Sequence, residues 1–124
     1  MNVLVAEDHP LNQKLARRLL EKQGHRVTIV EDGAQVIDVT SRESFDLLLR
    51  DIQMPYVDGF QATAAIRERE EVTGGRRLPI IALTAHASRG DAEKCRVGGM
   101  DGYVSKPIDR AELYRVIAEV CQKP

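Results

Sequence analysis

The sequence predicts an α/β fold: a five-stranded parallel sheet with five helices distributed over its two faces. Three observations carry this. Short apolar runs alternate with longer stretches of helical periodicity, five times over in 124 residues. The middle run, Leu47-Leu48-Leu49, has no polar side to offer to water, as expected of a strand covered on both faces. Each run also ends near a residue able to do chemistry, and in parallel sheets ligands gather outside the carboxyl ends of the strands.

Residues 3–6 are the first strand, which stops at Glu7-Asp8. Pro10 suits a first helical turn. Leu11, Leu15 and Leu19, spaced by four, predict the buried face of that helix, and Gly24 ends it. Residues 27–30 are the second strand, and Asp32-Gly33 is a turn or cap. A helix over about 34–40 is expected to turn Ala34, Val36 and Ile37 inward, with 41–44 a polar loop. The Leu47 strand ends at Asp51, and Met54-Pro55 breaks it. Asp58 is suited to cap a third helix running through Phe60, Ala64 and Ile66 to about Arg69. Beyond an exposed loop at 73–77, residues 79–83 form the fourth strand, ending at Thr84. A fourth helix at about 89–97 has a weak stripe of Ala92 and Cys95 before Gly98-Gly99. Residues 103–105 are a short fifth strand leading to Lys106-Pro107. Asp109 is placed to cap a last helix with a clear apolar face: Leu113, Val116, Ile117, Val120 and Cys121.

Charged residues make up 30% of the chain and nearly cancel, leaving a formal net charge of -1, which argues against nucleic-acid binding through a bulk basic field. No apolar run approaches the ~20 residues of a membrane span, and the start lacks the pattern of a secretion signal. Cys95 and Cys121 fit no metal or redox spacing, so a reduced, cytoplasmic setting is expected. His9, His25 and His86 show no ligand spacing. With no repeat or linker, residues 1–124 are expected to form a single domain.

The strand ends gather Glu7, Asp8, Asp51, Thr84 and Lys106 at one edge. Strand order decides how close they come: if the first strand lies beside the third, as in the order 2-1-3-4-5, Asp8 and Asp51 are neighbours. Carboxylates crowded in this way favour a hard divalent cation such as Mg²⁺. A cation beside an ammonium and a hydroxyl suits phosphoryl transfer, in which three equatorial oxygens carry the charge. A carboxylate with an ordinary pKa of about 3.9 is ionised at neutral pH, so Asp51 needs no general base to act as a nucleophile.

The set Glu7-Asp8, Asp51 with Met54-Pro55 and Asp58-Gly59, Thr84-Ala85 and Lys106-Pro107 resembles the receiver domain of two-component response regulators, over residues 3–120. Residues 74–86, with Asp51-Ile52-Gln53-Met54-Pro55, resemble most the receivers of hybrid sensor histidine kinases. The resemblance implies a phosphorelay function. Asp51 would accept a phosphoryl group from a histidine kinase or a histidine phosphotransfer domain. Asp8, Asp51 and the Gln53 carbonyl would hold Mg²⁺, with Glu7 acting through a metal-bound water. Lys106, joined to Pro107 by a cis bond, would pair with phosphoryl oxygens, and the small Ala85 would leave access to phosphorus. Thr84 would move to bond the phosphoryl group, and Tyr103, at the aromatic switch position, would turn inward. That would reshape the face of the fourth helix, fifth strand and fifth helix for a downstream protein partner. The resemblance also implies a monomer or weak dimer that is no enzyme beyond its own phosphorylation and dephosphorylation. Two departures stand out. Glu7-Asp8 is Glu-Asp where many members have Asp-Asp. Arg50 stands where an apolar residue is commoner; alternation turns it away from Asp51, toward a role in packing or at a partner surface.

Plainer readings exist for each residue. Asp8 can cap the first helix, Thr84 the fourth, and Asp58 the third. Tyr103 can simply pack, and Lys106 can sit in solvent. Among rival functions, an Asp-nucleophile phosphatase of the haloacid-dehalogenase type wants an acid where Gln53 stands, and a cap domain besides. A flavin-binding flavodoxin-like protein wants a hydroxyl- and Gly-rich loop where Glu7-Asp8-His9-Pro10 stands. A P-loop nucleotidase lacks its Gly-rich Lys motif. A non-phosphorylated adaptor keeps the fold without the chemistry, and the complete acid, Thr and Lys set argues against it.

Overall fold

Strands β1 (Asn2–Ala6), β2 (Arg26–Val30), β3 (Leu47–Asp51), β4 (Ile80–Thr84) and β5 (Gly102–Ser105) form one sheet in the order β2-β1-β3-β4-β5, every pair parallel. The structure is a computed structural model that describes residues 1–51, 59–74, 77–84, 99–105 and 108–121. Within these residues the helices are α1 (Pro10–Lys22), α2 (Gly33–Arg42), α3 (Gly59–Thr73) and α4 (Arg110–Cys121). The fourth of the five helices expected from the sequence, at 89–97, lies outside the described residues, so the last helix is α4 here.

Alternation along the strands builds two cores. Val3, Val5, Leu47, Leu49, Ile81, Leu83 and Val104 pack against α1 and α4. Leu4, Ala6, Leu48, Ile80 and Ala82 pack on the other side with Val36 of α2 and Ile66 of α3. The leucines of β3 have no solvent exposure at all, which is what a strand between two helical layers requires. Arg50, which alternates with Asp51, is also fully buried, so it is no part of an outer surface.

Two of the expected helix faces are rotated. Leu11 is 70% exposed and Leu15 half-buried, whereas Ala16, Leu19 and Leu20 make the buried stripe of α1. Residues spaced by four drift about 40° per step around a helix of 3.6 residues per turn, so the three leucines do not share a narrow face. In α2, Ala34 is exposed; Gly33 and Val36 face the core, with Ile37 half-buried. In α3, for which no face was expected, Ala62, Thr63 and Ile66 are buried and Ala64 is exposed. The side chain of Phe60, and Asp58 entirely, lie outside the described residues. Both helices also run further than their apolar pattern. Ser41 Oγ bonds the Asp38 carbonyl (2.6 Å), and Thr73 Oγ1 the Arg69 carbonyl (2.8 Å).

Helix ends follow their caps. Asp32 accepts from Gln35 N (2.8 Å), while Gln35 Oε1 accepts from Glu31 N (2.6 Å), a reciprocal pair of the capping-box kind. Asp109 accepts from Glu112 N (2.9 Å), as expected. Gly24, at φ +84°, closes α1 in the left-handed region that favours glycine. Gly102 allows α4 onto β5: a Cβ there would stand 3.0 Å from Val116 Cγ1 and 3.1 Å from Val120 Cγ2. Burial pushes the Cys121 thiol up, helped by the Asp46 and Asp101 carboxylates; it stays protonated at neutral pH and acts as packing.

The amino-terminal edge of the sheet is locked by a polar cluster. Arg67 Nε donates to the Gly99 carbonyl (2.9 Å), Nη1 to the Leu78 carbonyl (2.8 Å) and Glu70 (2.9 Å), and Nη2 to Asp101 (2.9 Å). Asp101 also accepts from Ile80 N (2.9 Å) and pairs with Arg77 (3.0 Å). Both Arg67 and Asp101 are 15% exposed. Removing one side strands a largely buried charge. Asp101→Ala is expected to cost about 3 kcal/mol in urea denaturation, whereas Leu11→Ala should change stability by less than about 0.5 kcal/mol; the opposite ranking would contradict both assignments.

Candidate functional site

The register sets the site. Ala6 pairs with Arg50 and Asp51 with Leu83, so Glu7, the residue after Ala6, comes level with Asp51 on the neighbouring strand. Adjacent strands lie about 4.8 Å apart. One carboxylate oxygen each from Glu7, Asp8 and Asp51 lies within 4.8 Å of the others. Glu7 is fully buried, Asp51 is 6% exposed, and Asp8 faces solvent. The cluster therefore has two acids out of water and one in contact with it.

Backbone anchors hold it in place. Glu7 N donates to the Val30 carbonyl of β2 (3.0 Å), and Gln13 Nε2 of α1 donates to the Glu7 carbonyl (2.6 Å). Gln13 is a positioning residue that sequence reasoning missed, because a glutamine inside a helix carries no chemical signature. The N-cap of α1 is His9, with extended backbone and no side-chain cap bond. Asp8 is thus not the helix cap, and its carboxylate belongs to the acidic cluster instead.

The remaining predicted residues fall as follows. Thr84 closes β4, opposite Ser105 and one residue past the partner of Asp51. Tyr103 of β5 is half-buried, packed against the core on the α2 and α3 side. Gln53, Ala85, Lys106 and Pro107 lie outside the described residues. In chain order Lys106 directly follows Ser105, the end of β5. The structure brings Glu7, Asp8 and Asp51 together and sets the end of β4 at the same edge. Three oxygens of this type, spaced this closely, fit a hard divalent cation.

Among known proteins, the response regulator receiver domain model matches residues 3–118. The chain belongs to that family, and so to two-component phosphorelay signalling. It is 48% identical over 126 residues to hybrid signal transduction histidine kinase I of Dictyostelium discoideum, which covers 97% of this chain but 7% of the kinase. It is 40% identical over 107 residues to the polar-differentiation response regulator DivK of Brucella ovis, covering 86% of this chain and 85% of DivK. The chain thus spans only a small part of the kinases it matches. Among solved structures, it is similar to the receiver domain of a sensor histidine kinase of Pseudomonas aeruginosa PAO1, with 43% identity, a TM-score of 0.86 and 98% of each chain covered. That structure has a magnesium ion coordinated in its active site cleft. It is similar too to the receiver domain of a Saccharomyces cerevisiae response regulator, co-crystallised with its histidine phosphotransfer protein, at 28% identity and a TM-score of 0.91, covering 97% of this chain and 88% of that one. No helix among the described residues is long and apolar enough to cross a membrane.

Like charges held this close destabilise the empty pocket. Asp8→Asn, at the solvent side, is expected to raise the melting temperature of the metal-free protein by about 3–5 °C, equivalent to about 1 kcal/mol. Millimolar Mg²⁺ should stabilise the natural chain more than the variant and so narrow the gap. Scanning calorimetry with and without Mg²⁺ checks this; a variant less stable in both conditions would show that the carboxylates do not repel.

Proposed function

We propose that Asp51 is the acceptor of a phosphoryl group delivered from a phosphohistidine, and that residues 1–124 act as a single receiver domain. The observation that carries this reading is the convergence of Glu7, Asp8 and Asp51 at the carboxyl edge of a parallel sheet, with Asp51 at the end of its central strand. An Asp51 oxygen forms the bond to phosphorus as the bond from phosphorus to the imidazole nitrogen of the donor breaks, and the imidazole leaves neutral. Asp8, Asp51 and the Gln53 carbonyl hold Mg²⁺, with Glu7 behind them through water. Bound there, the ion neutralises charge on the phosphoryl oxygens and on the acids themselves.

The chain supplies the rest. Lys106 pairs with a second phosphoryl oxygen, and Thr84 supplies a hydroxyl to a third. Tyr103, half-buried beside the β4 pairing, turns inward with Thr84. Phosphorylation adds about two negative charges and new acceptor oxygens at this edge, and the face of β5, α4 and the segment before β5 responds to a downstream protein. The domain is a phospho-accepting switch in a reduced cytoplasmic setting, not a turnover enzyme. The relatives support this chemistry: one structure holds magnesium in its cleft, and another pairs a receiver with a histidine phosphotransfer protein.

The test is NMR of the folded domain with Mg²⁺ and beryllofluoride, which stands in for the phosphoryl group. Mg²⁺-dependent shifts at Asp8, Asp51, Thr84, Tyr103 and Lys106 are expected. Silence around Asp51 would mean a receiver in shape only, an adaptor. Asp51→Asn should abolish acid-labile, hydroxylamine-sensitive acyl phosphate, and Lys106→Ala should lose the shifts at Tyr103. Steady hydrolysis of p-nitrophenyl phosphate would instead point to a phosphatase.

A further inference from the structure

The carboxyl ends of α2 and α3 part over the amino edge of the sheet. α2 stops at Arg42, where Glu43 takes up extended backbone (φ -129°, ψ 151°) and the chain turns toward β3. α3 continues to Thr73, and Leu78 leads into β4. The two helices and the two strand starts leave a cavity of about 530 Å³ between them, within the size range of small-ligand sites. Its walls divide by chemistry. Phe45, Ile66 and Leu78 give it an apolar side: Ile66 is buried, and the other two are half-buried against the core beneath α2 and α3. Thr40 and Arg69 form a polar side.

Arg69 is pinned. Its Nη2 donates to Thr40 Oγ1 (2.7 Å) and its Nη1 to the Ile37 carbonyl (3.4 Å), so the side chain reaches from α3 to α2. Thr40 in turn donates to the Val36 carbonyl (2.8 Å). A guanidinium carries five N–H donors, and both groups that accept from this one are neutral. Among the described residues no carboxylate lies in ion-pair contact with Arg69. The acids on the cavity wall are engaged elsewhere. Glu70 accepts from Arg67 Nη1 (2.9 Å) and Leu78 N (2.7 Å), and Glu43 is exposed to water. Arg77, also on the wall, is paired with Asp101. The half-buried charge that lacks an opposite one is therefore positive, and it stands beside apolar surface. Burying a charge without a counter-charge is costly, and a guanidinium matches a carboxylate with two parallel hydrogen bonds.

We propose that this cavity binds a small apolar carboxylate. The carboxylate takes the remaining N–H groups of Arg69, and the hydrocarbon body packs on Phe45, Ile66 and Leu78. A bare anion forfeits the apolar wall, and a neutral hydrocarbon leaves the guanidinium without a counter-charge. The site is separate from the acidic cluster. Four steps of β3 divide Leu47 from Asp51, about 13 Å, and the cavity lies at the Leu47 end. The proposal does not rest on the phospho-acceptor reading, and either can fail alone.

The experiment is an NMR titration of the whole chain with 3-phenylpropionate, its neutral counterpart 3-phenylpropanamide, and acetate. The first should give saturable shifts at Thr40, Phe45, Arg69 and Leu78, with a Kd on the order of 1 mM, and ring-proton NOEs to Phe45 and Ile66. The amide should bind at least about tenfold more weakly, and acetate should give no saturable shifts there. Arg69→Gln keeps a donor for Thr40. It should bring the carboxylate's affinity down to that of the amide and leave the amide's unchanged, a difference that loosening of the fold would not produce. Should that variant not fold, Arg69→Lys takes its place, with a loss of about threefold for the carboxylate alone. Phe45→Leu should weaken both ligands by a similar factor. Equal affinity for acid and amide, shifts centred on other residues, or no saturation in the millimolar range would overturn the proposal. So would a tripeptide ending in phenylalanine that binds about tenfold more tightly than 3-phenylpropionate, since that result assigns the cavity to the end of a protein chain.

Discussion

Everything in this molecule answers to one electrostatic constraint: three carboxylates held within 4.8 Å of one another, two of them out of water. Left to themselves they would separate. They are kept together because their backbones are the ends of adjacent strands, and those strands are fixed by an aliphatic core on each side. The leucines of β3 are fully buried, and Val3 to Ala6 of β1 likewise. Breaking the cluster apart would mean moving strands through close-packed side chains. The fold thus holds a geometry that the charges oppose, with three carboxylate oxygens spaced so that they could hold a metal ion.

The edge carrying the chemistry and the opposite edge are built differently. At the carboxyl edge the acids are the last residue of β3 and the two residues that follow β1. At the amino edge, Arg67, Glu70, Arg77 and Asp101 tie α3, the start of β4 and the approach to β5 into one knot of charged hydrogen bonds. Gly102, directly after Asp101, lets Val116 and Val120 of α4 close on β5. The strand that bears Tyr103 and precedes Lys106 is therefore clamped at its start.

Much of this was legible in the chain. The run Leu47–Leu49 announced a doubly covered strand, and the strand-end acids announced the pocket, because both depend on local composition and on period two. The strand order stayed conditional on the residues alone: the order 2-1-3-4-5 would bring Asp8 and Asp51 together, and the structure has that order. The helix faces were less legible. Leu11, Ala34 and Ala64 are apolar yet exposed, since their rotation depends on where each helix meets the sheet and not on their hydrophobicity. Gln13 and the Arg67–Asp101 cluster were invisible, because their partners lie in distant segments and much of the bonding runs to backbone carbonyls or amides. The Glu7-Asp8 variation was visible, and in the structure the longer acid is the fully buried one.

The narrowness of the α1 stripe that meets the sheet has an evolutionary reading. Ala16, Leu19 and Leu20 are the buried residues among its thirteen, with Leu15 packed beside them and Gln13 bonded to the Glu7 carbonyl, so substitutions at the exposed positions are the ones that folding tolerates best. Duplicated copies of such a domain can diverge along α1 while the pocket stays constant.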